Sequence, residues 1–490
     1  MLTTFKNLFT KPLMLVLCVG FIFSCSKENS SAPTPPSTPP TTPPVSSPVV
    51  TDVNFWLTTS NGGTLFTRQN IGLIFGNNTN GYSTITVDTT LTYQSIDGFG
   101  YALTGGSASL IHSMADDKRA ALLQELFKTD STFIGISYLR ISIGASDMSA
   151  SPFTYDDISS GTDTNLSQFS LSPEQTHLIP LLKEIIAINP KIKILGSPWS
   201  APVWMKTNSS FKGGSLNTSY YDVYAQYFVK YIQGMAAAGI TIDAITPQNE
   251  PLNPNNNPSM SMTSAEQTNF IKNNLGPAFS AAGLNTKIIL YDHNCDKPSY
   301  PLDILADATA YNYADGSAFH LYGGNITALT DVHNAYPNKN VYFTEQWTSS
   351  TETFSGDLSW HVKNLIIGAT RNWSRNVLEW NFAADPSQGP HTSGGCSTCL
   401  GALTVNGNLI TRNVSYYIIA HASKFVRPGS VRVNTSIQGT LQNVAFKTPD
   451  GHKVLIVLND NTSAQTFNIG FKNKIVTATL DGGSVATFVW

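Results

Sequence analysis

Between residues 95 and 383 the chain alternates between two hydrophobic periods. Short runs rich in Ile, Val, Tyr and Phe recur as SIDGFGYAL (95–103), ISYLRISIG (136–144), IKILGSPW (192–199) and ITIDAITPQN (240–249). Four more follow: KIILYDHN (287–294), GSAFHLYG (316–323), NVYFTEQW (340–347) and NVLEWNFA (376–383). Between these strand candidates lie segments with apolar residues three and four apart, among them KRAALLQELF (118–127), PLLKEIIAI (180–188), YDVYAQYFVKYIQGMAAAG (221–239) and SAEQTNFIKNNLGPAFSAAG (264–283). Strands that alternate with helices predict a parallel sheet with crossover connections. Eight such repeats predict a closed (β/α)8 TIM barrel. An open doubly wound sheet is the lesser alternative, because no glycine-rich phosphate fingerprint follows the first strand.

The flanks read differently. Residues 51–92 hold VNFWLTT and STITVDTT, and 429–490 hold SVRVNTS, LQNVAFKTPDGHKVLIVLND, AQTFNIGF and KIVTATLDGGSVATFVW. Short alternating runs separated by turn residues predict a β-sandwich. With the last strand ending on Trp490, both flanks are expected to join in one sheet domain beside a catalytic barrel at 93–428.

Residues 1–24 carry Lys6 and Lys11, then the apolar run LMLVLCVGFIF, then Ser24 before Cys25. That run is shorter than the ~20 residues a spanning helix needs. It reads as an export signal, and the cysteine after Ile22-Phe23-Ser24 resembles a lipoprotein cleavage site, with acylation of Cys25 as the consequence. An ordinary secretory signal is the alternative. Residues 25–50, rich in Pro, Ser and Thr, lack the means to build a core and are expected to form an extended tether. The expectation is a surface lipoprotein of the Gram-negative outer membrane, touching the membrane through its lipid anchor alone and working as a monomer.

The 490 residues carry a net charge of −3 and only 12% charged residues, a balance that argues against nucleic acid as a partner. Of the five cysteines, two fall in the signal region, Cys295 stands alone, and Cys396 and Cys399 lie in GGCSTCLG. In an exported chain this C-x-x-C favours a small loop-pinning disulfide, with free thiols as the alternative; no second pair completes a metal site.

Catalytic groups of a (β/α)8 barrel sit at the C-terminal ends of its strands. In this chain those ends supply Asp147, Trp199, Asn249, Glu250, His320, Tyr322, Glu345 and Trp380. Two acids therefore face one opening. Cleavage of a glycosidic bond needs two such carboxyls, one protonated to assist the leaving oxygen and one ionised at the anomeric carbon. Asn249 and Pro251 flank Glu250, which suits the acid/base. Glu345, near the hydroxyl of Tyr322, suits the nucleophile. Each glutamate alone is more often a solvated loop residue, and an Arg140–Asp147 ion pair is a structural alternative for that acid.

DGFGYALTGGSA (97–108), RISIGASDMS (140–149), LGSPWSAPVWMKTN (195–208), the run ending in PQNEP (247–251), FHLYGG (319–324) and FTEQW (343–347) resemble glycoside hydrolase family 30. The resemblance spans roughly residues 54–490 and implies a retaining barrel hydrolase with an attached sandwich. It implies Glu250 as acid/base and Glu345 as nucleophile, with Asp147, Trp199, Asn249, Tyr322 and Trp380 lining the sugar subsite. His320 joins these as a binding candidate. After WNFAADPSQGP this chain departs from the glucosylceramidase-like pattern, so that His391 and the Cys396/Cys399 loop stand where part of the substrate rim is expected.

The resulting expectation is an endo-β-1,6-glucanase that takes β-glucan as its substrate and needs no metal or organic cofactor, with Glu250 kept protonated by apolar surroundings and nearby negative charge. The alternatives are a glucosylceramidase, an exo-β-glucosidase or a β-xylosidase of the same family and, in another class, a non-catalytic surface glycan-binding lipoprotein.

Overall fold

The computed structural model describes residues 49–130 and 132–490. The signal-like segment, Cys25 and nearly all of the tether lie outside the described residues.

All eight expected barrel strands are present: β1 (Gly98–Leu103), β2 (Tyr138–Ile143), β3 (Lys193–Pro198), β4 (Ala244–Ile245), β5 (Lys287–Cys295), β6 (Ala314–Gly324), β7 (Asn340–Glu345) and β8 (Ser374–Glu379). Each pairs in parallel with the next, and β8 pairs with β1, which closes the barrel. The fourth is much shorter than its apolar run. After Ile245 the chain leaves regular pairing, with Thr246 N–H on the Gly196 carbonyl, Asn249 N–H on Pro198 and Glu250 N–H on Asp292. Glu250 thereby changes allegiance from β3 to β5 and adopts φ +43°.

The helices follow their apolar spacing. Leu178–Ile188 buries Leu178, Leu181, Leu182 and Ile185, one face of a 3.6-residue period. The helix expected over 264–283 begins with a capping box between Thr263 and Glu266 but is interrupted by a wider π turn at Ile271–Leu275, ahead of Gly276–Ala281. Pro277 explains the interruption: it has no N–H to donate, and its ring would collide with the preceding turn of a regular helix.

Asn54–Thr58 pairs antiparallel with Val485–Val489, so the two flanks do meet in one sheet domain. The long strand Thr84–Ser95 pairs with Val431–Thr435 through its second half and with Gln465–Phe471 through its first, and so belongs to both layers. Phe55, Val87, Leu455, Phe467 and Phe488 pack between them. The sandwich grips the barrel domain at His421, on the helix Val414–Ser423, whose two ring nitrogens meet the hydroxyls of Thr487 and Thr58 at 2.9 and 2.8 Å.

Inside the barrel, Tyr138, Leu195, Ala244, Ile289, Ala318, Tyr342 and Leu378 form one apolar layer, large residues set against small ones. Side chains of a strand repeat every two residues on the same face. The next inward positions are Arg140, Ser197, Thr246, His320, Thr344 and Trp380. On β5 the step takes three residues, to Asp292, where the register shifts and both Tyr291 and Asp292 have positive φ. The apolar plug is thus capped by a polar layer, on which the site is built.

Candidate active site

Asp292 is the hub of that layer. Its Oδ2 accepts hydrogen bonds from Arg140 Nη2 (2.8 Å), Ser197 Oγ (3.1 Å) and Thr246 Oγ1 (2.7 Å), and its Oδ1 accepts from Thr344 Oγ1 (2.7 Å) and faces His320 Nε2 at 3.0 Å. Burial by itself would raise the pKa of this carboxyl, but Arg140, His320 and Thr344 outweigh it and hold Asp292 far below the usual carboxylate range. Holding a fully buried charge this way requires every lone pair to be satisfied, which five partners achieve.

Arg140 spans the site. Besides Asp292 it donates from Nη1 to Glu345 Oε2 at 2.5 Å and from Nη2 to Asn249 Oδ1 at 2.6 Å, and its guanidinium lies 4.9 Å from the Trp199 ring. It makes no pair with Asp147, contrary to one of the sequence expectations, because β2 points Arg140 into the barrel while Asp147 lies on the loop above.

The two acids reach one cavity of about 490 Å³, within the ~300–1,000 Å³ usual for small-ligand sites. Asp147, Trp199, Tyr322, Trp347, Trp380 and the Cys396–Cys399 bridge contribute to its walls. His320 Nδ1 is 3.4 Å from Glu250 Oε1 and 3.7 Å from Glu345 Oε1, so those two oxygens are separated by no more than the sum of these contacts, 7.1 Å. That ceiling admits the ~5–5.5 Å spacing of retaining glycosidases.

Each acid is oriented by different donors. Glu250 Oε2 accepts from the amides of Asn253 (2.8 Å) and Asn256 (3.1 Å), while Glu345 Oε1 accepts from Tyr322 Oη at 3.1 Å. Burial would raise Glu250, yet the imidazoles of His293 and His320 overcome it and pull its pKa down. The expectation of a carboxyl kept protonated by apolar surroundings is therefore corrected. What surrounds Glu250 is two imidazoles and two amides, and the resting proton sits on His320. Burial opposes the imidazolium there, but Glu345, Asp292 and Glu250 together raise His320 to about 9. Burial, helped by Glu250 and Asp292, pushes Glu345 up against the pull of His320 and Arg140. Burial and then the charges of Glu345 and Glu250 push Asp147 up to about 7.

Trp199 and Trp380 stand side by side, ring centroids 5.5 Å apart, over a patch that includes Met148 and Cys399. The loop that carries the disulfide is tied down at several points. Thr392 N–H meets the Asp147 carbonyl at 2.8 Å, Asn257 Nδ2 meets the Ser393 carbonyl at 3.1 Å, and Cys399 pairs with Ser349. These ties bring the cysteines to the cavity wall. His391, on the same loop, is not among the residues lining this cavity; its Nδ1 stands 2.9 Å from the Thr392 carbonyl. Asn249 and His320 lie beneath the wall in the polar layer. Residues absent from the sequence expectation are Asp292, His293, Asn253, Asn256 and Trp347. The adjacent Asp-His at the end of the fifth apolar run was the available signal for the first two.

Residues 96–426 match the Glycosyl hydrolase family 30 TIM-barrel domain, and residues 429–488 match the Glycosyl hydrolase family 30 beta sandwich domain. The chain belongs to glycosyl hydrolase family 30. This family 30 hydrolase is 38% identical over 391 residues to endo-1,6-beta-D-glucanase BGN16.3 of Trichoderma harzianum, covering 75% of this chain and 78% of that one. It is 29% identical over 435 residues to putative glucosylceramidase 4 of Caenorhabditis elegans, covering 82% and 83%. Among solved structures, the endo-beta1,6-glucanase BT3312 superposes with a TM-score of 0.84 at 38% identity, over 90% of this chain and 99% of that one.

Proposed function

We propose that this family 30 enzyme is an endo-β-1,6-glucanase that works with retention through a glycosyl-enzyme intermediate on Glu345, with Glu250 as acid/base. The observation that carries the reading is the shared cavity, in which Glu250 and Glu345 both lie against His320, close enough to permit the spacing of a retaining pair. The linkage rests on similarity to two proteins described as β-1,6-glucanases. Glu345 attacks the anomeric carbon from a position fixed by Arg140 and Tyr322. The proton resting on His320 Nδ1 passes to Glu250 Oε1 and on to the departing oxygen. Glu250 then takes a proton from the water that releases the sugar. Asn249 spends its carbonyl on Arg140, which leaves its amide N–H groups for a sugar hydroxyl. Trp199 and Trp380 offer apolar faces to the ring.

The test is product analysis over β-1,3-, β-1,4- and β-1,6-glucans, glucosylceramide and xylan. Short β-1,6-linked oligosaccharides from β-1,6-glucan, with the anomeric configuration retained in the first product, are expected. Glucose as the sole early product indicates exo action, and no product from any member of the panel returns the protein to the glycan-binding class.

Residues 1–50 support a second, separate proposal: export, acylation of Cys25, and a proline-rich tether that holds the enzyme off an outer membrane. Metabolic labelling with a fatty acid tests it, because Cys25→Ser should abolish the label.

A further inference from the structure

We infer that Glu250, His293 and His320 form a binding site for one borderline transition-metal cation of the Zn²⁺ class, and that its occupation reversibly blocks turnover. Glu250 Oε1 is 3.4 Å from His320 Nδ1 and 3.7 Å from His293 Nδ1, and the ligand atoms of the three residues all fall within 4.8 Å of one another. Tetrahedral zinc with bonds of ~2.0–2.2 Å sets its ligand atoms roughly 3.3 Å apart. Two edges of that figure nearly exist already, and a modest approach of the two imidazoles closes the third.

Three independent features single out this cluster. First, His293 Nδ1 is buried without any hydrogen-bond partner. A buried imidazole nitrogen left unpaired is costly, and here it points toward the oxygen a cation would share. Second, Asp292 Oδ1 stands 3.0 Å from His320 Nε2 and holds a proton at that nitrogen, so a cation that displaces the proton from Nδ1 meets a lone pair already facing Glu250 Oε1. This is the carboxylate–histidine arrangement that orients imidazoles toward zinc. Third, the amides of Asn253 and Asn256 engage Glu250 Oε2 and leave Oε1 for the ion. Two imidazoles and one carboxylate select zinc-like ions over Ca²⁺ or Mg²⁺, which require oxygen ligands in greater number.

The metal would occupy Oε1, the oxygen assigned above to proton delivery, and would take the lone pair of His320 that carries the proton at rest. The inhibitory consequence rests on the proposed role of Glu250; the binding itself does not.

The test is calorimetric titration of the full chain with Zn²⁺, the visible spectrum of the Co²⁺ form, and X-ray absorption at the zinc edge. One ion per chain is expected, with intense tetrahedral-type Co²⁺ bands and two imidazoles on zinc. Affinity should fall at least about tenfold in His293→Ala and in Glu250→Gln. It should be unchanged in His177→Ala, which removes the other close imidazole pair, His112 Nδ1 to His177 Nδ1 at 3.3 Å. Zn²⁺ should stop glucan hydrolysis and a chelator should restore it. No binding by the wild type at millimolar Zn²⁺, fewer than two imidazoles in the absorption spectrum, or binding that survives His293→Ala but fails in His177→Ala overturns the site. The absorption measurement needs no variant and so stands even if His293→Ala does not fold. Full-affinity zinc binding with undiminished hydrolysis overturns the inhibition, and with it the role of Glu250, while leaving the site.

Discussion

Arg140 and Glu345 are joined directly inside the barrel, Nη1 to Oε2 at 2.5 Å, with the guanidinium fully buried and its second arm on Asp292. A strand-2 cation thereby holds a strand-7 acid in place. Removing it breaks two buried ion pairs at once and leaves His320 as the sole cation facing both Asp292 and Glu345, a loss on the order of 3–5 kcal/mol. Arg140→Ala should accordingly lower stability by that order in urea unfolding, and Arg140→Ala combined with Asp292→Asn should recover part of it. Additive losses in the double variant would refute the coupling.

The proposed division of labour between the acids separates in kinetics. Glu345→Gln should abolish turnover while the folded state survives, since Tyr322 and Arg140 can still meet a neutral amide. Glu250→Ala should lose about 10²–10⁴-fold on substrates with poor leaving groups, lose far less on activated aryl glycosides, and regain rate with azide. Equal loss on both substrate types, with no azide effect, would remove Glu250 from the acid/base role.

Activity should depend on pH at two identifiable groups. His320 is raised to about 9, so the proton it shares with Glu250 is present below that pH and lost above it, and kcat should fall as pH rises through about 9. Asp147 is raised to about 7, so it is neutral below that pH and an ionised acceptor above it. KM should therefore change near pH 7, and Asp147→Asn should flatten that change without moving the alkaline limb of kcat.

The disulfide closes so short a loop that the chain-entropy model gives it only on the order of 2 kcal/mol. Its larger effect should be local, because the same loop holds the backbone of Asp147 through Thr392. Replacing both Cys396 and Cys399 by Ser should raise KM several-fold while melting changes modestly. A large loss of stability with KM unchanged would contradict this account.

His421 makes the barrel–sandwich contact sensitive to acid. Burial lowers its pKa to about 3, well below the unfolded value near 6.5, so the native state holds it neutral while the unfolded chain protonates as pH drops. Its contribution is fully present above about 6.5 and is lost on acidification at up to ~1.4 kcal/mol per pH unit. Melting between pH 7 and 5 should show this slope in the wild type and a shallower one in His421→Gln.

The apolar runs in the sequence determined a good deal. Eight of them, separated by helical segments, dictate a closed parallel barrel, and the rule that side chains at strand ends face one opening brings Glu250 and Glu345 together from 95 positions apart. Periodicity is local, and so these features are readable without coordinates. The charge state of the acids was not readable, because it depends on distances between strands that share no sequence neighbourhood. Arg140 finds Asp292 at a separation of 152 residues, and His320 finds Glu250 at 70, only because barrel closure sets strands 2, 4, 5, 6 and 7 around one axis. Which part of the loop reaches the cavity was likewise settled by hydrogen bonds from Thr392 to Asp147 and Asn257, which bring Cys396 to its wall. Hydrophobic patterning fixed where the functional side chains stand along each strand; electrostatics in a buried polar layer, a property of the assembled barrel alone, decided which of them hold protons.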